Sequence, residues 1–319
     1  MDHGTMDDLD QHLLRALQLD GRTPFSRIAR DLGVSERTIA RRYQRLRTLG
    51  LRIIGLPVSS RLGLTRWLLR LHCTPDAAGT IAEALARRPD TSWVTLASGG
   101  TELYCAFNAR TVEERNVLLL EKLPRTPQVL SVSAHCMMRM FVGATSTWYA
   151  TRFEPQGTAA TVDSGSSTTD PLSLDATDRI LFTELARDGR ATLPELAAAS
   201  GRSPSSVQRH LDRLRVEGAL NLSVDFDPQL LGYHMATRIW LNVTPAHLRI
   251  VGEALATHSQ IAFAAAVTGT SNLVASGIFR DPSDLYDYID QRISLLPGIQ
   301  SIETAPTLRE VKRLVPAVR

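Results

Sequence analysis

The chain has 319 residues, 36 of them basic and 33 acidic, for a net charge of +3, with 43% hydrophobic and 22% charged residues. That length supports two to four domains with cores of their own, and the composition is that of an ordinary globular protein rather than a disordered or fibrous one. No apolar run approaches the ~18 residues of a membrane span, and the acidic, polar start MDHGTMDDLD is not a secretory signal, so a cytoplasmic protein is expected.

Residues 1–6 are expected to fray. Leu9, Leu13 and Leu17 then share one face of a first helix. Gly21 ends it, and Thr23 with Pro24 caps and opens a short second helix that runs through Leu32. Gly33 makes a turn, Ser35 caps a third helix, and Gly50 stops it. This is the order of a helix-turn-helix, placed at residues 7–58. Beyond it, residues 62–148 alternate strand-like and helical stretches: strand 67–73, helix 75–87, strand 93–97, strand 103–107, helix 112–123 and strand 129–140. Thr111 with Glu114 fits a capping box at the second of these helices. Residues 151–172 are dense in Ser, Thr, Gly and Asp and are expected to be a flexible linker.

The pattern then repeats. DQHLL and Gly21-Arg22 return as DRILF and Gly189-Arg190, 168 residues later; Gly33 and Ser35 return as Gly201 and Ser203, Leu46 and Gly50 as Leu214 and Gly218. Leu62-Gly63, Thr74-Pro75 and Leu123-Pro124 match Leu231-Gly232, Thr244-Pro245 and Leu296-Pro297. A period this long is a duplicated multi-domain unit, not a solenoid. A second helix-turn-helix is placed at 173–226. A second strand–helix–strand–strand–helix–strand unit lies at 230–315, with strands 236–243, 261–267, 273–279 and 299–308 and helices 245–257 and 282–295. Asp281-Pro282 with Asp284 marks the start of the last helix. The fold class is α+β: two copies of a winged-type helix-turn-helix followed by a ferredoxin-like βαββαβ domain.

Charge separates the two copies. Only Lys122 and Lys312 are lysines, so the placement of arginine tells more than its number. In SERTIARRYQRL the apolar Ile39 and Leu46 are spaced to pack inward, which leaves Arg37, Thr38, Arg41, Arg42 and Arg45 for the outer faces. A recognition helix needs this division, because outward arginines bond guanine edges or phosphates while the inner stripe docks on the scaffold. The corresponding residues of the second copy are Ser205, Ser206 and Arg209. Residues 27–52 hold eight arginines against Asp31 and Glu36, a net +6, whereas residues 195–220 net only +1. The first copy is therefore expected to dominate DNA affinity.

The ordered set of motifs resembles the Lrp/AsnC (feast/famine) transcription regulators, as two fused copies covering nearly the whole chain. The motifs are Gly-Arg after helix one, Ser35, Thr38-Ile39, Arg41-Arg42, Arg45-Leu46 and Gly50, the Leu-Gly pairs, and Leu296-Pro297-Gly298-Ile299. The resemblance implies a regulator that binds double-stranded DNA. It also implies sheets that pair across a two-fold axis, here as an intrachain pseudo-dimer, with further homo-oligomers. An amino-acid effector near the turn between the second and third strands of each α/β domain is implied as well. Those turns are Ser98, Gly99, Gly100, Thr101 and Glu102 in the first half, and Thr268, Gly269, Thr270, Ser271 and Asn272 in the second. Glycine lets backbone N–H groups approach a carboxylate and Glu102 could hold an ammonium, but a plain hairpin turn uses glycine too. The family usually places Asp where Glu102 and Asn272 fall; Asn272 carries no charge to hold an ammonium.

No catalytic residue, metal site or cofactor is expected. Cys73, Cys105 and Cys136 are expected as buried free thiols, Trp67, Trp93 and Trp240 as core or interface aromatics, and His72, His135 and His234 as ordinary structural histidines. Two alternatives stay open. One is a siroheme-decarboxylase-like enzyme on the same fold, although the segments TSWVTLASG and IAFAAAVTG hold no histidine. The other is a small-molecule sensor or scaffold that does not bind DNA.

Overall fold

The structure, a computed structural model, describes residues 6–143, 148 and 171–314; the expected linker, apart from its last two residues, lies outside them. The first half runs α1 (Asp8–Leu19), α2 (Phe25–Asp31), α3 (Glu36–Thr48), β1 (Arg52–Pro57), β2 (Thr65–Cys73), α4 (Ala78–Ala86), β3 (Thr91–Ala97), β4 (Glu102–Ala109), α5 (Val112–Asn116, continued as a π-helix), and β5 (Val129–Val142). The second half repeats it: α6 (Ala176–Arg187), α7 (Leu193–Ser200), α8 (Pro204–Val216), β6 (Leu220–Asp225), β7 (Met235–Val243), α9 (Leu248–Thr257), β8 (Ile261–Val267), β9 (Leu273–Phe279), α10 (Pro282–Tyr288, continued as a π-helix) and β10 (Ile299–Lys312). The side chains of Ser35, Thr111 and Asp281 accept from the backbone N–H three residues on, as the sequence indicates; α2 instead takes Pro24 as its N-cap residue, with no side-chain cap from Thr23, and Glu114 accepts from the Arg110 N–H rather than completing a capping box at Thr111.

Two strands absent from the sequence-based expectation, β1 and β6, pair antiparallel into a ribbon, with Ile54 opposite Ser223 and Gly55 opposite Leu222. Each helix-turn-helix head rests on the other half's strand. The first head's core, including Leu13, Leu17, Ile39 and Leu46, is continuous with Val224 and Phe226. The Gly189 N–H donates to Ile53 O at 2.7 Å. The Gly-Arg motif completes the exchange: Arg22 donates to the carbonyls of Gly189 and Ala191, and Arg190 to those of Gly21 and Thr23. Met6, expected to fray, is instead buried, and its N–H reaches Leu230 O at 3.2 Å.

The two α/β units do more than stack face to face. Their eight strands close into one barrel in the order β10-β3-β4-β2-β5-β8-β9-β7. The cause is the length of β5 and β10, which extend to Val142 and Lys312 rather than stopping at 140 and 308. Each pairs within its own sheet through its first part and crosses to the other half through its last part. Met137 to Val142 of β5 face β8, and Thr307 to Lys312 of β10 face β3. Closure satisfies edge backbone groups that an open sheet leaves unpaired. The helices lie outside on two separate cores, while the helix-free faces turn inward around Leu68, Tyr104, Trp240, Val267 and Val274. Trp240 Nε1 donates to the Tyr104 hydroxyl at 3.3 Å. An eight-stranded barrel is about wide enough for such side chains to fill. No helix among the described residues is long and apolar enough to cross a membrane.

One buried histidine makes stability depend on pH. His258, at the end of α9, sits with Nδ1 2.9 Å from the Tyr288 hydroxyl. Burial, helped by the nearby Arg292, draws its pKa down to about 4. The unfolded chain therefore binds a proton below about pH 6.5 that the folded chain refuses until about pH 4. Stability from this group is complete above pH 6.5 and falls as pH drops towards 4, with a slope of up to about 1.4 kcal/mol per pH unit. Urea unfolding from pH 7 to pH 4.5 should show a steeper loss in the wild type than in His258→Gln. Parallel curves would remove His258 as the cause.

Candidate nucleic-acid interface and effector turns

The outer stripe of α3 holds Arg37 and Arg41, four residues apart and so on one face; both are exposed. Neither forms an ion pair or hydrogen bond among the described residues. Ile39, Tyr43 and Leu46 fill the opposite face. Thr38 is partly occupied, since its hydroxyl lies 2.8 Å from the capping Ser35 Oγ.

Arg42 and Arg45 depart from expectation. Both turn back towards α1 instead of outward. Arg42 pairs with Asp7 and lies 3.3 Å from Asp10, and Arg45 lies 2.6 Å from Asp10. Asp10 is fully buried, and an unpaired buried carboxylate is costly, so these two guanidiniums hold α3 against α1, although Arg45 stays exposed. In their place, Arg27 and Arg30 of α2 stand exposed without a partner among the described residues. The sequence reasoning missed them, although their spacing opposite Ile28 and Ala29 carried the signal. Further along, Arg47 and Arg52 reach Asp188 and Asp225 of the second half.

The second head repeats the pin with different residues. Asp178, equivalent to Asp10, takes Arg213 and His210, the latter at 2.9 Å. Burial opposes its ionisation, yet the hydrogen bonds from Arg213 and His210 hold its carboxyl below the usual range. Asp175, Asp178 and His210 bring ligand atoms within 4.8 Å of one another. The same positions in the first head are Asp7, Asp10 and Arg42, so the cluster is accounted for as this pin. Arg209 is exposed, while Ser205 Oγ is 3.1 Å from the capping Ser203 and the Ser206 N–H donates to that cap.

The two turns are built differently. Ser98, Gly99 and Gly100 all have left-handed backbone, with φ of 50°, 72° and 83°, and their tip is open. Glu102, however, is buried: Arg70 pairs with it, Ser98 Oγ donates to it, and His72 lies 3.7 Å away. Arg70 also pairs with Glu303 of the other half. Glu102 is therefore not free to hold an ammonium. In the second turn, Asn272 bonds both backbone groups of Val243, at 2.9 and 2.6 Å. Thr268 and Gly269 press on β5 of the first half. Thr268 O is 2.6 Å from His135 Nδ1, and a Cβ on Gly269 would lie 2.5 Å from that nitrogen. Thr101, Thr270 and Ser271 remain at the turn tips. The side chains with the most chemistry in these turns thus brace the structure.

All three cysteines are free thiols, but Cys136 is only half-buried. Trp240 lies in the barrel core and Trp67 against the outer core of the first half.

Residues 6–47 match the AsnC-type helix-turn-helix domain, residues 174–220 a winged helix-turn-helix DNA-binding domain, and residues 238–316 the Lrp/AsnC ligand binding domain. An uncharacterised HTH-type transcriptional regulator of Pyrococcus abyssi is 29% identical over 143 residues, which are 44% of this chain and 90% of that protein. The HTH-type transcriptional regulator LrpA of Mycobacterium tuberculosis is 42% identical over 74 residues, 23% of this chain and 48% of that protein. Among solved structures, the siroheme decarboxylase NirDL matches with a TM-score of 0.65 at 16% identity, covering 98% of this chain and 94% of that one. At that identity the likeness is one of fold.

Proposed function

The chain is a member of the Lrp/AsnC family with two helix-turn-helix heads in one polypeptide, and from that premise we propose that it is a sequence-specific, DNA-binding transcription regulator modulated by a small molecule. The observation that carries this is the set of four exposed arginines on α2 and α3 of the first head, Arg27, Arg30, Arg37 and Arg41, whose side chains have no partner among the described residues. They can neutralise phosphates and read guanine edges once the helix enters a major groove. The second head offers Arg209 in the equivalent of Arg41, and it takes the weaker half-site. Selection of bound sequences from a random duplex pool by the full chain tests the reading. An enriched motif, bound more tightly than bulk DNA, is the expected result. Equal affinity for every duplex would refute sequence-specific regulation.

The named relatives are transcriptional regulators, which supports a role without turnover, whereas the decarboxylase shares only the fold. Purified protein incubated with siroheme should release no more carbon dioxide than buffer does. Release above that level would establish the enzymatic alternative. The turns at 98–102 and 268–272 are the effector positions the family resemblance implies, and the barrel supplies the rigid frame from which further copies of the chain assemble.

A further inference from the structure

The barrel interior opens into a cavity of about 190 Å³, walled by strands of the barrel and, on one side, by Leu56 and Pro57 of β1 and Asn221 of β6. An apolar cavity of ~150 Å³ already admits benzene. Most of the wall is apolar, with Leu68, Met137, Met140 and Phe263 contributing. Arg238 of β7 lies in this wall and is only 9% exposed. It donates to Ser276 Oγ at 2.6 Å and lies over the rings of Tyr104 and Phe263 at 5.3 and 5.9 Å. No carboxylate among the described residues pairs with it. Burial with no opposing charge draws its pKa down to about 10.

Three further observations point the same way. The hydroxyls of Thr95 and Thr237 line the same cavity, are buried, and have no hydrogen-bond partner; buried polar atoms left so are rare and call for an explanation. Trp93, also in the wall, has φ of 52° at a break in the β3–β4 register, a costly conformation for a bulky residue. Finally, the duplication that aligns Thr74-Pro75 with Thr244-Pro245 aligns Arg238 with Leu68. A wall that served packing alone has no use for arginine where its twin uses leucine. The other charged groups at the cavity are Arg66, which donates to Met140 Sδ at 3.5 Å, and Glu310, which Arg313 already engages.

A buried guanidinium without a carboxylate partner, with two spare hydroxyls and apolar walls, matches a singly charged, planar head on an apolar body. We propose that this cavity binds a small apolar carboxylate, its head paired with Arg238, and that the β1–β6 ribbon transmits occupancy to the DNA-binding heads. The proposal rests on the reading of the chain as a small-molecule-modulated regulator, and it adds a binding position in the barrel to those at the turns.

Calorimetric titration of the full chain with 3-phenylpropionate, hexanoate, L-phenylalanine and L-leucine, with 3-phenylpropylamine as the control whose head is cationic rather than anionic, tests the site. At least one acid should bind, and the amine should not. Arg238→Met should weaken that acid at least tenfold while retaining a cooperative thermal transition. Thr237→Val, which leaves the guanidinium in place, should weaken it about twofold to tenfold. Comparison of the plain acids with the amino acids shows which source of the carboxylate fits. Binding of none of the acids, equal binding by folded Arg238→Met, or equal binding of the amine would overturn the site. Arg238-dependent binding that leaves affinity for the selected DNA unchanged would overturn the coupling. Failure to select any DNA would instead strike the regulator reading, because the titration stands apart from it.

Discussion

Arg41→Ala is expected to weaken binding to the selected DNA roughly five- to 150-fold, by ~1–3 kcal/mol. Arg41 is exposed, sits one turn after Arg37, and has no protein partner among the described residues to offset its loss. A lost phosphate contact should lower the slope of log affinity against log salt by about one. A lost guanine contact should leave that slope and relax preference at one base pair. Arg42→Ala should act differently, because Arg42 pairs with Asp7 and Asp10. Its main effect should be on unfolding, with the salt slope kept. Arg209→Ala should cost less than Arg41→Ala, and mobility-shift titrations at several salt concentrations separate the three. A larger loss at Arg209 would reverse the assignment of the dominant head.

The second half expressed alone, residues 171–319, is expected to self-associate. Apart from the first half, β8 loses β5, the end of β10 loses β3, and β6 loses β1. Three unpaired edges and the apolar inner face around Trp240, Val267 and Val274 are then exposed together, a combination that favours association. Sedimentation should give a dimer or larger species, and added first half should convert it to a one-to-one complex. A cooperatively folded monomer at high concentration would show that the inner face does not need its partner.

Much of this was legible because it is local. Helix starts carry their own caps at Ser35, Thr111 and Asp281, and the 168-residue repeat exposes the duplication without any structural knowledge. The ribbon was not legible. RIIGLP is buried at five of its six positions, so it lacks the alternation that marks a half-exposed strand, and its partner lies about 170 residues away. Helical spacing alone places Arg42 and Arg45 on the outer faces, for a related reason. Helical spacing gives the face of a side chain, but not the presence of Asp7 and Asp10 beside that face, 35 residues earlier. Arg238 is the clearest case. Strand alternation places it on the helix-free face, where an arginine is unremarkable if that face meets water. Only closure of the barrel makes that face an interior.

The exchange in which each head rests on the other half's ribbon strand has a consequence in mass action. For separate protomers, assembly of two heads depends on concentration, and dilution empties the operator twice over, through dissociation of the pair and of the complex. Here the second head is covalently present, at an effective concentration fixed by the tether rather than by expression level. Occupancy of a single operator should therefore follow a simple hyperbola down to very few molecules per cell. Because the heads always meet as unlike partners, each is also free to adapt to a different half-site without creating mismatched pairs.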